Sequence, residues 1–466
     1  MTSMIRSQGR LLATVLTATF IGQFDFFVVN VAAPAIQSSL GATNTQLELV
    51  VAGYAFMYAA GLITGGRLGD LYGRRQVFIS GLAAFAVASA LCGVAPSATA
   101  LIACRALQGL SAAVLLPQVL AFINTVIPAS RRGWAMGWFG VASGVGSIAG
   151  QGLGGLLVQA DLWGLGWRLI FLVNVPIMAI AMAATLQLVP QIPSNPRATI
   201  DAGGAAAIFT GMAGSMGAAL LAQHQLVGAA AAAAFAGGVV LAAAIWWQSR
   251  RAQRGLTVTL EPSLFIVGSM RWGSVASATF MAYFASFMFV LTVVLQRHSQ
   301  LDPVSAGLVF VPSGLTFMLS SLTAARWIQH RLRSGLLGGC AITGLGVSII
   351  LAATGTGVPA DVLPWWLVVA VSLTGFGNGL VLPTLTGLSL SEVAPARAGM
   401  ASGVVTTLQQ FGAALGVAAI AALFYGVASA SAFPQGMAAA ALIHLTLLAV
   451  VAVACLKATR SKPRSA

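Results

Sequence analysis

Two charged side chains stand where a bilayer would make them expensive: Asp25, in FIGQFDFFVVNVAAPAI, and Arg105, in LIACRALQGL. A charge at membrane depth costs roughly 2.5 to 3.5 kcal/mol on insertion scales, so such a residue is a functional candidate by default. The other acids, Glu48, Asp70, Asp161, Asp201, Glu261, Asp302, Asp361 and Glu392, can be placed at the ends of apolar runs or between them. Asp25 is therefore the one evident proton carrier. Burial favours the neutral form of a carboxyl and a nearby guanidinium favours the ionised form, so a change in the Asp25–Arg105 distance would change proton affinity. The competing readings are a static ion pair joining two helices, or an Asp25 bonded to neighbouring amides such as Gln23 or Asn30. Buried pairs seldom stabilise a fold better than apolar packing, which favours a functional reason for keeping them.

The elements that position these residues follow from composition. The chain has 466 residues, 58% of them hydrophobic and 7% charged, against roughly 25% charged in ordinary soluble domains. A soluble enzyme, a nucleic-acid binder and a disordered protein are all excluded. Apolar stretches near the 20 residues needed to cross a bilayer recur fourteen times, at 11–36, 47–66, 76–95, 98–122, 133–157, 168–188, 202–222, 227–247, 270–295, 304–325, 335–354, 364–388, 399–424 and 435–457. The first is longer than a signal-peptide core and lacks a cleavage site, so it is expected to stay as a membrane helix. Twenty of the 23 Lys and Arg fall in the segments on the side of the termini; Arg168 and Arg297 fall on the other side, and Arg105 lies within a helix. The positive-inside rule then places both termini in the cytoplasm and accounts for the net charge of +14 without nucleic acid.

An internal repeat is readable at an offset of 266 residues. Gly109 and Pro117 match Gly375 and Pro383, and Arg131, Gly133, Gly137, Gly146 and Gly150 match Arg397, Gly399, Gly403, Gly412 and Gly416. The expected architecture is all-α: a six-helix bundle over 1–190, two inserted linker helices and a cytoplasmic loop over 191–263, and a second six-helix bundle over 264–466. Parallel six-helix repeats with a pathway between them build many secondary transporters.

The short loop GGRLGDLYGRR, residues 65–75, packs one acid and three Arg between glycines. It reads either as a positive-inside hairpin or as a latch in which Asp70 caps the positive N-terminal end of a neighbouring helix. In GVGSIAGQGLGG, residues 144–155, Gly146, Gly150 and Gly154 are spaced by four, which permits close helix contact. Cys92, Cys104, Cys340 and Cys455 lack metal or disulfide spacing. His224, His298, His330 and His444 lack metal-type or nucleophile–base spacing. No catalytic residue, metal or cofactor is expected.

These residues resemble the major facilitator superfamily, in its fourteen-helix drug:proton antiporter branch of the QacA/EmrB type, over essentially the whole chain. The 65–75 loop is similar to the superfamily's signature gating loop at Gly66, Asp70, Gly73, Arg74 and Arg75. RALQGLSAAVLLP resembles the helix-four motif that implicates Arg105 in proton coupling, with Gln108, Gly109 and Pro117 also matching. FDFFVVNVAAPAI is similar to the helix-one motif, with Asp25, Asn30 and Pro34, and WRLIFLVNVP resembles the start of helix six. GSIAGQGLGG resembles the helix-five antiport motif at Gly146, Gly150, Gly154 and Gly155, but Gln151 stands where that motif has proline, so a proline kink is not implied.

The resemblance implies export driven by the proton gradient, from the bacterial plasma (inner) membrane, by a multi-pass protein. The expected cargo is an amphipathic or cationic small molecule, as in multidrug efflux and antibiotic resistance. A pocket is expected between the bundles, drawing on Phe24, Phe26, Phe27, Asn30, Gln108, Asn378, Gln409 and Gln410. Glu48 is a candidate second proton site. Alternatives are export of an endogenous metabolite, or uptake of an organic anion on Arg105 by proton symport. Expected partners are the small-molecule substrate, protons and membrane lipids, with no nucleic acid; a monomer is expected, and a periplasmic adaptor protein is left open.

Overall fold

The structure is a computed structural model that describes residues 2–192, 201–223, 227–256, 258–293, 295, 303–355, 363–394, 397–427 and 433–460. The side chains of Asn30, Glu48 and Gln151, and residues Asp302 and Asp361, lie outside the described set.

Apolar runs with no water to bond must satisfy their own backbone, which makes helix the default, and the described chain is helical throughout. The helices are α1 (Thr2–Leu40), α2 (Asn44–Tyr72), α3 (Arg74–Gly93), α4 (Ala98–Val126), α5 (Ala129–Ala160), α6 (Leu169–Leu172), α7 (Asn174–Leu188), α8 (Ala202–Gln223), α9 (Val227–Gln253), α10 (Gly268–Val293), α11 (Pro303–Gly355), α12 (Leu363–Leu390), α13 (Ala398–Val427) and α14 (Phe433–Arg460). Starts are set locally: Thr43 and Gln46 form a reciprocal capping box at α2, and Ser97 caps α4 through Ala100 N–H. Gly73, at φ 88°, separates α2 from α3 without a longer loop.

Among the described residues, eleven helical stretches are long and apolar enough to cross a membrane, and Leu308–Ala324 is a shorter apolar helix. Large apolar side chains cover the outside; Phe235 and Ile180 leave 76% and 70% of their surface uncovered, which suits lipid rather than water. Arg250 lies over the Trp246 ring at 4.4 Å and Lys457 over Trp272 at 4.3 Å, as expected of cations and aromatics at a membrane interface.

One boundary differs from the sequence reading. The two apolar segments at 304–325 and 335–354 form one helical run, broken only at Arg331 (φ −139°, ψ 46°). Residues 326–334, which join them, are helical on either side of Arg331, so a single non-helical residue marks the boundary.

The 266-residue repeat is visible as repeated packing. Gly146 and Gly150 of α5 press on the Phe20 and Phe24 carbonyls of α1, while Gly412 and Gly416 of α13 press on the Ala278 and Ala282 carbonyls of α10. Likewise Gly109 of α4 abuts the Tyr54 carbonyl of α2, and Gly375 of α12 abuts the Ser313 carbonyl of α11. A Cβ at any of these positions would meet backbone. The two sets join where α13 packs on α2 and α4, and where α5 packs on α11; α8 and α9 pair with each other and lean on α13 and α2.

Overpacking of this kind costs about 1 to 3 kcal/mol. Gly150→Val and Gly416→Val are expected to lower the melting temperature of the detergent-solubilised protein, whereas Gly152→Ala, which faces open space, leaves it unchanged. A neutral Gly150→Val would show that α1 and α5 are not in backbone contact.

Candidate functional site

Five helices converge on Asp25. From α4 come Arg105 and Gln108, three residues apart and so on one helix face. From α3 comes Ser89, from α7 Asn174 in its first turn, and from α2 Tyr54. Asp25, Arg105, Gln108, Asn174 and Ser89 are all fully buried.

Arg105 Nη1 forms an ion pair with Asp25 Oδ2. The second carboxylate oxygen, Oδ1, accepts from Gln108 Nε2 at 2.8 Å and from Asn174 Nδ2 at 3.0 Å. Ser89 Oγ accepts from the same two amides, each at 3.0 Å, and donates to the Phe171 carbonyl at 2.9 Å. Arg105 has further partners that do not depend on the carboxylate. Its Nη1 donates to Gln108 Oε1 at 2.8 Å, its Nε donates to the Val50 carbonyl at 3.3 Å, and its guanidinium carbon lies 4.3 Å from the Tyr54 ring centroid. A proton arriving on Asp25 would cancel the ion pair, and the guanidinium would still be held by an amide, a carbonyl and an aromatic face. Arg105 Nη2 and Asn174 Oδ1 are buried without a hydrogen-bond partner, so the cluster is incompletely satisfied with its charges in place.

α5 positions the carboxylate's helix. Gly146, Gly150, Gly154 and Gly155 face Phe20, Phe24, Val28 and Val31 on successive turns of α1, the stretch that carries Asp25.

The second feature is a latch between the two helix sets at the arginine-bearing end. Asp70 pairs with Arg74 at 3.1 Å, and its Oδ2 accepts from Met400 N–H, in the first turn of α13, at 3.3 Å. Arg74 also donates to the Ala121 carbonyl at 3.4 Å, Arg75 donates to the Leu186 carbonyl, and Gly66 lies against the Gly399 carbonyl. Ser402 donates to the Pro117 carbonyl at 3.1 Å and Thr407 to the Ala59 carbonyl at 3.4 Å. The carboxylate therefore meets the partly positive end of a helix dipole.

A strand of chain after α9 joins this latch. Glu261 pairs with Arg397 at 3.0 Å, accepts from Ser263 at 2.8 Å, and donates its backbone N–H to Met400 Sδ at 3.3 Å. Before α8, Asp201 caps that helix through Gly204 N–H, accepts from Gln248 Nε2 at 2.5 Å and pairs with Arg251 at 3.5 Å; Gln248 Oε1 accepts from Thr259 N–H at 2.8 Å. These bonds tie α8 and α9 to the start of α13.

Several pocket residues expected from sequence lie elsewhere. Gln108 is inside the Asp25 cluster, where its amide completes the carboxylate's shell. Asn378 is buried and accepts from Thr343 at 3.3 Å, and Gln409 donates to Thr386 at 3.0 Å; both bonds stay within the second helix set. Phe24 is buried with its backbone against Gly150, and Phe27 is half-buried, edge-on to Phe26. Gln410 lies beside the Tyr58 hydroxyl, across the join between the sets. The amides that bond Asp25 are Gln108 and Asn174 rather than Gln23. Ser89, Asn174 and Tyr54 were not singled out in sequence; Asn174 could have been, as an amide within the apolar segment WRLIFLVNVP.

The Major Facilitator Superfamily model matches residues 15–417. The chain is 32% identical over 423 residues to a probable actinorhodin transporter of Streptomyces coelicolor, covering 90% of this chain and 73% of that one. It is 32% identical over 451 residues to the puromycin resistance protein pur8 of Streptomyces alboniger, covering 94% and 86%. The crystal structure of the human organic anion transporter MFSD10 (TETRAN) matches with a TM-score of 0.66 at 18% identity, covering 94% of this chain and 99% of that one, which is a likeness of fold.

Asp70→Ala removes both the Arg74 partner and the α13 cap. In a background with the four cysteines replaced by serine, it is expected to raise maleimide labelling of Ser402→Cys several-fold over the Asp70 parent. Equal labelling would show that Asp70 does not hold the two sets together.

Proposed function

The chain belongs to the major facilitator superfamily, and from that premise we propose that it is a proton-driven exporter of amphipathic or cationic small molecules, working by alternating access. The carrying observation is the Asp25 carboxylate, fully buried and bound at once by Arg105, Gln108 and Asn174. Relatives named for antibiotic transport and resistance support export.

In this reading the chain is of the fourteen-helix drug:proton antiporter branch, six spans plus two plus six, with both termini cytoplasmic, in the bacterial plasma (inner) membrane. It works as a monomer among membrane lipids and needs no cofactor beyond the proton gradient. Protonation of Asp25 releases Arg105 to Gln108, Val50 and Tyr54. The weakened tie between α1 and α4 lets the first bundle shift, and the Asp70–α13 latch opens and closes in step.

The energetics are adequate. A potential of 100 mV is worth about 2.3 kcal/mol per charge and one pH unit about 1.4 kcal/mol, so one entering proton can hold a neutral cargo at roughly a 500-fold gradient. Uptake of an organic anion on Arg105 fits less well, because the guanidinium is fully buried and bonded within the first bundle.

In inside-out vesicles, a drug panel added to wild type is expected to dissipate an imposed pH gradient for at least one compound. Asp25→Asn is expected to abolish this proton movement and the corresponding resistance of cells while still reaching the membrane. Unimpaired coupled efflux by Asp25→Asn would remove the carboxylate from the mechanism.

A further inference from the structure

The two helix sets meet along two seams, and the chain treats the seams differently. On one side α13 lies against α2: Gly66 abuts the Gly399 carbonyl, Gly403 abuts the Leu62 carbonyl, and Thr407 donates to the Ala59 carbonyl at 3.4 Å. A third helix, α8, packs on both α2 and α13 and so lies over this seam. Its Phe209 stands edge-on to Phe56 of α2, with ring centroids 5.8 Å apart. Its Ile208 and Met212 are buried in the same apolar cluster as Leu62 and Ile63 of α2 and Ala401 and Val404 of α13.

On the other side α5 lies against α11. Gly140 abuts Ser321, Gly144 abuts the Phe317 ring, and Ile148 fills the space over Gly314. Here the outer edge is bare. Leu153 and Leu156 of α5 and Leu315 and Leu319 of α11 leave half or more of their surface uncovered, and Gly152, one turn beyond Ile148, faces open space.

The helix over the first seam is fastened to one of the two sets. Asp201, Gln248 and Thr259 form a buried knot at the foot of the α8–α9 hairpin. Gln248 Nε2 donates to the Asp201 carboxylate, Gln248 Oε1 accepts from the Thr259 and Leu260 N–H groups, and Thr259 Oγ1 donates to the Asp201 carbonyl at 2.8 Å. The stretch that holds Thr259 continues through Glu261, which pairs with Arg397 and donates to Met400 at the start of α13, and then into α10. Hydrogen bonds fix distance and direction, whereas apolar contact is non-directional and lets packed helices slide by small amounts. The named ties to the second set are of the first kind, and the Phe56–Phe209 contact with α2 is of the second.

Apolar surface is driven out of water, so an amphipathic cargo concentrates in the bilayer and can reach the space between two bundles sideways, through a seam. We propose that the α8–α9 hairpin is a lateral cover: it travels with the second bundle, keeps the α2–α13 seam shut to lipid and cargo, and confines sideways exchange with the bilayer to the α5–α11 side. This rests on the alternating-access reading.

The test uses the full chain in nanodiscs, its four cysteines replaced by serine, as parent and with Asp25→Asn or Asp70→Ala added to shift the bundles. Spin labels are placed two at a time on exposed sites of the first bundle (Val87→Cys), the hairpin (Phe235→Cys) and the second bundle (Leu442→Cys). The Val87–Leu442 and Val87–Phe235 distances are expected to change together by several ångströms, with the Phe235–Leu442 distance unchanged. A Phe235–Leu442 distance that changes while Val87–Phe235 stays fixed assigns the hairpin to the first bundle and overturns the proposal. Single labels at Ile63→Cys, in the covered seam, and Gly152→Cys, beside the bare one, are then read by collision with oxygen dissolved in the bilayer. The Gly152 site is expected to collide several-fold more often, and Gln248→Leu, which undoes the knot, is expected to raise the Ile63 value several-fold without moving the Gly152 value. Equal collision at the two sites in the parent, or an Ile63 value unmoved by Gln248→Leu, overturns the proposal. A Val87–Leu442 distance unchanged in both variants overturns the alternating-access reading itself, and the oxygen comparison still decides whether the hairpin covers the seam.

Discussion

A carboxylate and a guanidinium placed together in an apolar bundle oblige the rest of the fold to surround them. Neither ion can be left short of partners, because a buried charge without them costs several kcal/mol, so α1, α2, α3, α4 and α7 each deliver a group to one point. Close approach of these helices requires small residues where backbones meet, which is what the glycines of α5 and α4 provide. The same glycine seats recur between α10 and α13 and between α11 and α12, so close backbone contact is common to both helix sets and the ion pair occupies one instance of it.

In the proposed proton-driven cycle, the same constraint would let a proton do mechanical work. The attachment of Arg105 is split between the Asp25 carboxylate, which protonation neutralises, and an amide, a carbonyl and the Tyr54 and Phe171 rings. Loss of charge on Asp25 changes the balance between α1 and α4 without leaving the cation stranded. At the far end of α2, Asp70 faces a helix terminus and an arginine. That second contact depends on orientation as well as charge, so it would weaken if α13 turned away.

How much of this was legible beforehand depended on contrast. Asp25 and Arg105 stand out because charges are rare in their surroundings, but their pairing was one of two readings, the other being a carboxylate bonded to amides, and the structure has both at once. The glycine spacing of α5 and the match of Gly146 and Gly150 to Gly412 and Gly416 survive as real packing because glycine contacts require a fixed register. Ser89 and Tyr54 were invisible, since hydroxyl and aromatic side chains are common in apolar helices and nothing local marks which face they occupy. Gln108 was read as a cargo contact because an amide suits either role, and only the three-dimensional arrangement shows it bonded to Asp25. Glu261 and Asp201 looked like ordinary surface acids because their partners lie 136 and 47 residues away, at Arg397 and Gln248.

The ties from Asp201, Gln248 and Glu261 to the start of α13 make the α8–α9 hairpin an outrigger. Its second limb holds the 26-residue membrane span Gly228–Gln253, about 39 Å long at 1.5 Å per residue, so in the proposed cycle a tilt imposed at the arginine-bearing end would be carried through the thickness of the bilayer to the other face. Each stroke of such a cycle would then push aside the acyl chains packed around the hairpin. Turnover in such a machine is damped by the viscosity of its lipid as well as by the height of its chemical barriers.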